Sequence, residues 1–244
     1  MEILKTHSPS MFERLLEISE PIKPIWLEEQ YRMSPDICQL VSELFYDKQI
    51  INRKKENIWK KPLGFLISKF DPSIMFIDVK GYEEREHGAT SIHNWTEIEA
   101  TKGLLHKIFC EKRYEKAHSK IGIISFYKAQ TEKLKKEING RALDPNSDIE
   151  ISTVDGFQGK EKEFIILSCV RSQKLKEAFA SRCIHIGFLN EVRRINVAFS
   201  RSREALIVLG NASILESDVD SPLWKTIISK FKSKKAFFCQ DILK

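Results

Sequence analysis

A chain of 244 residues can bury a sizeable core, and 42% hydrophobic with 30% charged residues is an ordinary globular balance, which argues against disorder. The formal net charge of +6 favours a polyanionic partner such as nucleic acid. Five widely separated cysteines exclude a disulfide framework and give no zinc spacing, so no metal site is expected. No apolar run approaches the roughly 18 residues of a membrane span, and no signal-peptide core follows Met1. A cytoplasmic or nuclear protein without a membrane partner is expected.

Apolar runs rich in Ile, Val and Phe alternate with segments of helical periodicity. This predicts an α/β fold, a mostly parallel sheet with helices on both faces. In chain order, a short strand is expected at 25–28. Ser34 followed by Pro35 then reads as an N-cap and first-turn proline, opening a helix that turns Ile37, Leu40, Val41, Leu44 and Phe45 to one side. Residues 47–72 are basic and broken by Pro62 and Gly64. A strand follows at 74–79, and then a polar stretch, 80–93, with Gly81 and Gly88.

Asn94 with Glu97 three residues on has the form of a capping box, and Ile98, Leu105 and Ile108 continue its helix. A strand at 121–126 leads to a helix over 127–139 that buries Tyr127, Leu134 and Ile138 and stops at Gly140. Strands are expected at 149–154 and 163–170, an irregular stretch at 171–187, a helix carrying the arginines of 193–203, and a strand at 205–210. The tail after Ser221 reads as a solvated basic helix. The lysine-rich stretches 53–55, 133–136 and 230–235 read as solvated faces.

Four segments carry the chemistry: LEEQYRMSPDI at 27–37, IGIISFYKAQ at 121–130, ISTVDGFQGKEKEFIILSCVRS at 151–172 and GFLNEVRRINVAFSRSREALIVLGN at 187–211. Together, in this order, they resemble the second RecA-like lobe of superfamily-one helicases, in the branch of the up-frameshift, senataxin and immunoglobulin-mu-binding helicases. SMFERLL at 10–16 also resembles the family segment just ahead of its glutamine-tyrosine-arginine motif, so the resemblance covers nearly the whole chain. It implies a RecA-like fold over 25–244, with 1–24 leading in from a first lobe.

The resemblance also implies roles. Arg32 and Arg201 would be arginine fingers on the terminal phosphate of ATP, a task suited to a planar and permanently charged guanidinium. Tyr31 would stack on adenine, and Gly159 and Glu161 would lie near the nucleotide. Ser125, Tyr127 and Thr153 would meet the backbone of a single strand of RNA or DNA, and Gln158 would couple the two sites. Ser125 and Tyr127 flank a phenylalanine where many family members have proline. For Arg193, Arg194 and Arg203 a structural ion pair and a ligand contact both remain open, because residues two apart on a helix do not share a face.

A complete motor needs a loop of the form G-x-x-x-x-G-K-[ST] and an acidic, magnesium-holding strand end. Neither string occurs in these 244 residues. ATP and Mg2+ would thus be held mainly by a first RecA-like lobe, in cis upstream of Met1 or in trans, and the chain alone is expected to be inactive. A fragment of a larger helicase is the favoured expectation. The alternative is a non-catalytic nucleic-acid-binding module derived from such a lobe.

Overall fold

The computed structural model describes residues 11–16, 25–54, 63–64, 66, 73–111, 118–139, 149–174, 186–217 and 222–243. Its elements in chain order begin with α1 (Met11–Leu16), β1 (Glu29–Gln30), α2 (Pro35–Phe45), β2 (Ile51–Asn52), β3 (Ile74–Asp78), β4 (Tyr82–Glu83) and α3 (Trp95–Cys110). Then come β5 (Ile121–Ser125), α4 (Lys128–Asn139), β6 (Glu150–Thr153), β7 (Lys162–Ser168) and β8 (Gln173–Lys174). The last are α5 (Val192–Ser200), β9 (Ser202–Gly210), α6 (Ala212–Glu216), α7 (Leu223–Ser233) and β10 (Phe237–Cys239).

Six strands form one sheet in the order β10-β3-β9-β7-β5-β6, and every neighbouring pair is parallel. Side chains alternate across it, as a period of two requires. Phe76, Ile124, Ile165, Leu167, Leu206 and Val208 face one core with residues of α2, α5, α6 and α7. Met75, Ile77, Ile123, Phe164, Ile166 and Ile207 face a second core with residues of α3 and α4. Helices thus cover both faces, which is why these strands read as unbroken apolar runs. The architecture is the expected RecA-like α/β one.

Several local expectations are corrected. Residues 25–28 carry no strand; pairing starts at Glu29, opposite a partner only two residues long, and Ile25 and Leu27 stay exposed. Ser34 is buried but its hydroxyl has no partner among the described residues, so α2 is started by Pro35 and by the Ser34 carbonyl, which accepts from the Cys38 N–H at 2.9 Å. Asn94 does cap α3, accepting from the Glu97 N–H at 3.2 Å. The return contact of a capping box is missing, because Glu97 turns into the core and the Asn94 N–H goes to Gln130 Oε1 at 2.8 Å.

The tail is not merely solvated. Trp224, Ile227, Ile228 and Phe231 form the buried stripe of α7, and β10 extends the sheet beside β3. The arginine helix ends at Ser200, and β9 begins at Ser202, three residues before the expected strand. Gly140 and Pro62 lie outside the described residues. No helix among the described residues is long and apolar enough to cross a membrane.

Candidate functional site

The sequence candidates separate to two ends of the sheet. Glu161 and Arg201 immediately precede β7 and β9, whose first residues Lys162 and Ser202 are partners in register. Ser125 and Thr153 end β5 and β6, and Ser125 is in register with Ser168, the last residue of β7. Six steps of roughly 3.3 Å put the two ends about 20 Å apart.

At the amino end the 31–33 bend is folded around one side chain. Gln30 Oε1 accepts from the backbone N–H of Arg32 at 3.0 Å and of Met33 at 2.7 Å, while its Nε2 donates to Asn52 Oδ1 at 2.6 Å. The Ser34 N–H then donates to the Arg203 carbonyl at 2.8 Å, docking the bend onto β9. Arg32 consequently forms an ion pair with Glu161 and reaches the Ser200 carbonyl at 3.4 Å. Glu161 also accepts from Arg203 at 2.7 Å.

Among the described residues Arg201 hydrogen-bonds only neutral oxygens: Val197 O at 3.1 Å, Lys160 O at 3.3 Å and Ser200 Oγ at 3.2 Å. Burial, and then the nearby charge of Arg32, lower its guanidinium from the ordinary value. Two guanidiniums therefore share the Glu161 carboxylate, and a third stands nearby on neutral oxygens. Arg32, Glu161 and Arg201, widely separated in sequence, come together here.

Gly159 sits in the exposed turn ahead of Glu161 with φ +82°, where only glycine is unstrained, and a Cβ would meet nothing within 4 Å. The crossing that bears it is anchored by Phe157, which is buried so close to β5 that a Cβ on Gly122 would fall 2.6 Å from its ring. Gln158 is exposed on the same crossing. Tyr31 is 66% exposed; its hydroxyl donates to Glu29 at 2.9 Å, and that hydrogen bond raises its pKa.

The carboxyl end differs from expectation at two residues. Ser125 is fully buried, donating to the Ser168 carbonyl at 3.0 Å and accepting from the Tyr127 N–H at 3.3 Å. Tyr127 is 7% exposed and donates to the Ile186 carbonyl at 3.2 Å, and burial pushes its pKa up to about 12. Both hydroxyls are engaged by backbone groups and hold loops together. Thr153 is half-buried, with Oγ1 accepting from the Gly156 N–H at 3.3 Å.

Two features were not legible from sequence, and one open alternative takes a definite form. Lys54, expected to be solvated, pairs at 2.5 Å with Glu204, which is fully buried beneath the arginines. Arg194 takes the structural option, pairing with Asp155 at 3.0 Å and Glu191 at 3.1 Å. Behind Ser125 lies a buried polar network. Ser168 Oγ donates to Glu97 and accepts from Gln130 at 2.9 Å, and Asn94 Nδ2 donates to the Val170 carbonyl at 3.1 Å.

The family described as AAA domain (AAA_12) matches residues 7–213. "Regulator of nonsense transcripts 1" of Dictyostelium discoideum is 34% identical over 230 residues, 93% of this chain and 16% of that protein. "Probable helicase MAGATAMA 3" of Arabidopsis thaliana is 33% identical over 241 residues, 95% of this chain and 27% of that protein. "Helicase SEN1" of Saccharomyces cerevisiae is 31% identical over 245 residues, 97% of this chain and 10% of that protein. The chain therefore spans between 10% and 27% of the length of these three relatives.

Proposed function

The chain belongs to the superfamily-one helicases of the up-frameshift and senataxin branch, as their C-terminal lobe, and we propose that it serves an ATP-driven motor on single-stranded RNA or DNA by supplying arginine fingers and strand contacts. The observation that carries this is the amino-end rim, where Arg32, Arg201 and Arg203 surround Glu161 alone. Like charges repel, and a fold that gathers them with one shared counter-charge is complementary to an anion.

The donor set is cationic, so it fits a triphosphate; the magnesium ion is assigned to the first lobe. ATP, when bound, supplies the phosphoanhydride bond whose cleavage drives the motor. Arg32 and Arg201 face the terminal phosphate and stabilise charge as it spreads over the outer oxygens. Exposed Tyr31 offers its ring to adenine. The open backbone at Gly159 lets the nucleotide approach, and Glu161 holds Arg32 in position.

At the other end Thr153 contacts the strand backbone. Ser125 and Tyr127 act indirectly, by fixing the ends of β5 and β7. Gln158, on the crossing between Thr153 and Glu161, is the candidate for coupling strand to nucleotide.

The test is ATP hydrolysis by a two-lobe protein in which this chain follows a first lobe. Arg32→Ala and Arg201→Ala are each expected to lower kcat by about 10³ or more without moving the melting temperature. Full turnover in Arg201→Ala refutes the assignment. Since the 244 residues contain no G-x-x-x-x-G-K-[ST] string, a binding module is the second reading. Strand affinity that falls steeply with salt and ignores ATP, in a two-lobe protein that does not turn over, favours it.

A further inference from the structure

Phe188 is 51% exposed, although Ile186 and Leu189 in the same turn are fully buried. A lone exposed ring is common on protein surfaces, but this one is held out by its backbone. The Tyr127 hydroxyl donates to the Ile186 carbonyl at 3.2 Å, and the Trp224 indole N–H donates to the Leu189 carbonyl at 2.9 Å. Gly187, between those two anchors, takes φ +61°, the left-handed conformation that completes the turn. The chain is thus pinned on either side of the ring.

The ring is also held from its sides. The guanidinium carbon of Arg194 lies over it, 5.1 Å from its centre, and the Tyr127 ring flanks it at 6.1 Å with a 55° tilt. Arg194 is itself tied to Asp155 at 3.0 Å and Glu191 at 3.1 Å, so its charge is already met and its part here is to steady the ring. The same contacts place Phe188 at the carboxyl end of the sheet. Tyr127 lies two residues beyond the end of β5, and Asp155 lies two residues beyond Thr153, the last residue of β6.

A fixed aromatic ring, half open to solvent, suits a flat apolar partner, and the base of an unpaired nucleotide has such a face. We propose that Phe188 is a stacking platform for a nucleobase of the bound single strand, beside the backbone contact at Thr153. This rests on the assignment of the carboxyl end to a strand made above, and it adds a base contact to a site so far made of backbone contacts. The turn is ordered before the strand arrives, so little freedom is lost on binding. Every base has a π face, and the platform therefore accepts any sequence. Stacking does not use the 2′-hydroxyl, so RNA and DNA are both accepted at this ring.

The test uses the whole 244-residue chain and two fluorescein-labelled single-stranded DNA oligomers of equal length, one of thymidines and one with abasic sites throughout. Affinity is read by fluorescence anisotropy at low salt. Phe188→Ala is expected to bind the thymidine oligomer about tenfold more weakly than the parent does, and the abasic one equally well. Phe188→Trp should match or exceed the parent on thymidines, whereas Phe188→Leu, apolar but without a π face, should resemble Phe188→Ala. An equal loss on both oligomers, or rescue by leucine, overturns the proposal. Unchanged affinity in Phe188→Ala overturns it too and leaves the ring to a protein contact. Failure of the strand assignment has a different signature: the parent chain then binds neither oligomer, and the platform falls with it.

Discussion

Glu97 sits in the first turn of α3 with no exposed surface, and its carboxyl oxygens face Ser168 Oγ at 2.5 Å and the Val170 N–H at 3.0 and 2.9 Å. Those donors favour the charged form, but burial works against it more strongly and pushes the pKa from 4.5 up to about 8. Between these values the folded chain holds a proton that the unfolded chain has released. The stabilisation is fully present below about pH 4.5 and is lost as pH rises toward 8, with a slope of about 1.4 kcal/mol per pH unit. Across the window the loss is on the order of 5 kcal/mol, comparable with the whole stability of many domains.

Glu97→Gln fixes the neutral form, and urea unfolding between about pH 5 and about pH 8 measures the consequence. The parent should lose stability relative to the variant as pH rises. His93, whose pKa is lowered by burial and then by Lys133, acts in the opposite sense, losing stability as pH falls below its ordinary value of 6.5. That contribution is common to both proteins and cancels in the difference. The lowered carboxyls of Glu43 and Glu150 contribute fully above their ordinary 4.5, outside the window. A flat difference curve, or a parent that gains on the variant with rising pH, refutes the reasoning. A local readout accompanies it: Val170, a β-branched residue held at φ +70°, is pinned by Glu97 on its N–H and by Asn94 on its carbonyl. Its amide protection factor, taken relative to the intrinsic base-catalysed rate, should fall toward the alkaline end as the parent loses stability.

Two further substitutions test packing around the rim. Lys54→Met leaves the buried Glu204 unpaired and should cost about 3–5 kcal/mol, most of it regained in Lys54→Met/Glu204→Leu; a loss under about 1 kcal/mol by urea unfolding would contradict the buried pair. Ser34→Ala should be neutral or stabilising, since it removes a buried hydroxyl that has no partner, whereas a loss of about 1 kcal/mol would restore the N-cap expected from sequence.

The central sheet was legible because strands buried on both faces must be apolar throughout, as in IGIIS of β5 and FIILS of β7. β10 escaped notice for the opposite reason: it is a three-residue edge strand, and its side chains are only half-buried or exposed. In α7 the lysines obscured the stripe Trp224, Ile227, Ile228 and Phe231, although its helical spacing was present in the sequence. The Lys54–Glu204 pair joins residues 150 apart, and no local pattern marks such a partnership.

The arginine rim was half legible, and the missing half follows from where the helix ends and the strand begins. Within a helix, Arg201 and Arg203 are turned about 200° from each other, which would have excluded Arg203 from any site served by Arg201. The helix ends at Ser200, however, and Ser202 is already paired with Lys162 in the sheet. Ser202 and Glu204 then point into the core, fully buried, while Arg203 remains partly exposed beside Glu161. The register slips here, with Ser202 opposite Lys162 but Ala205 opposite Phe164, and this irregularity leaves Arg203 at the rim while Lys54 makes the buried glutamate tolerable. A charged residue buried on β9 is part of the reason a third guanidinium stands beside the two that the motifs nominated.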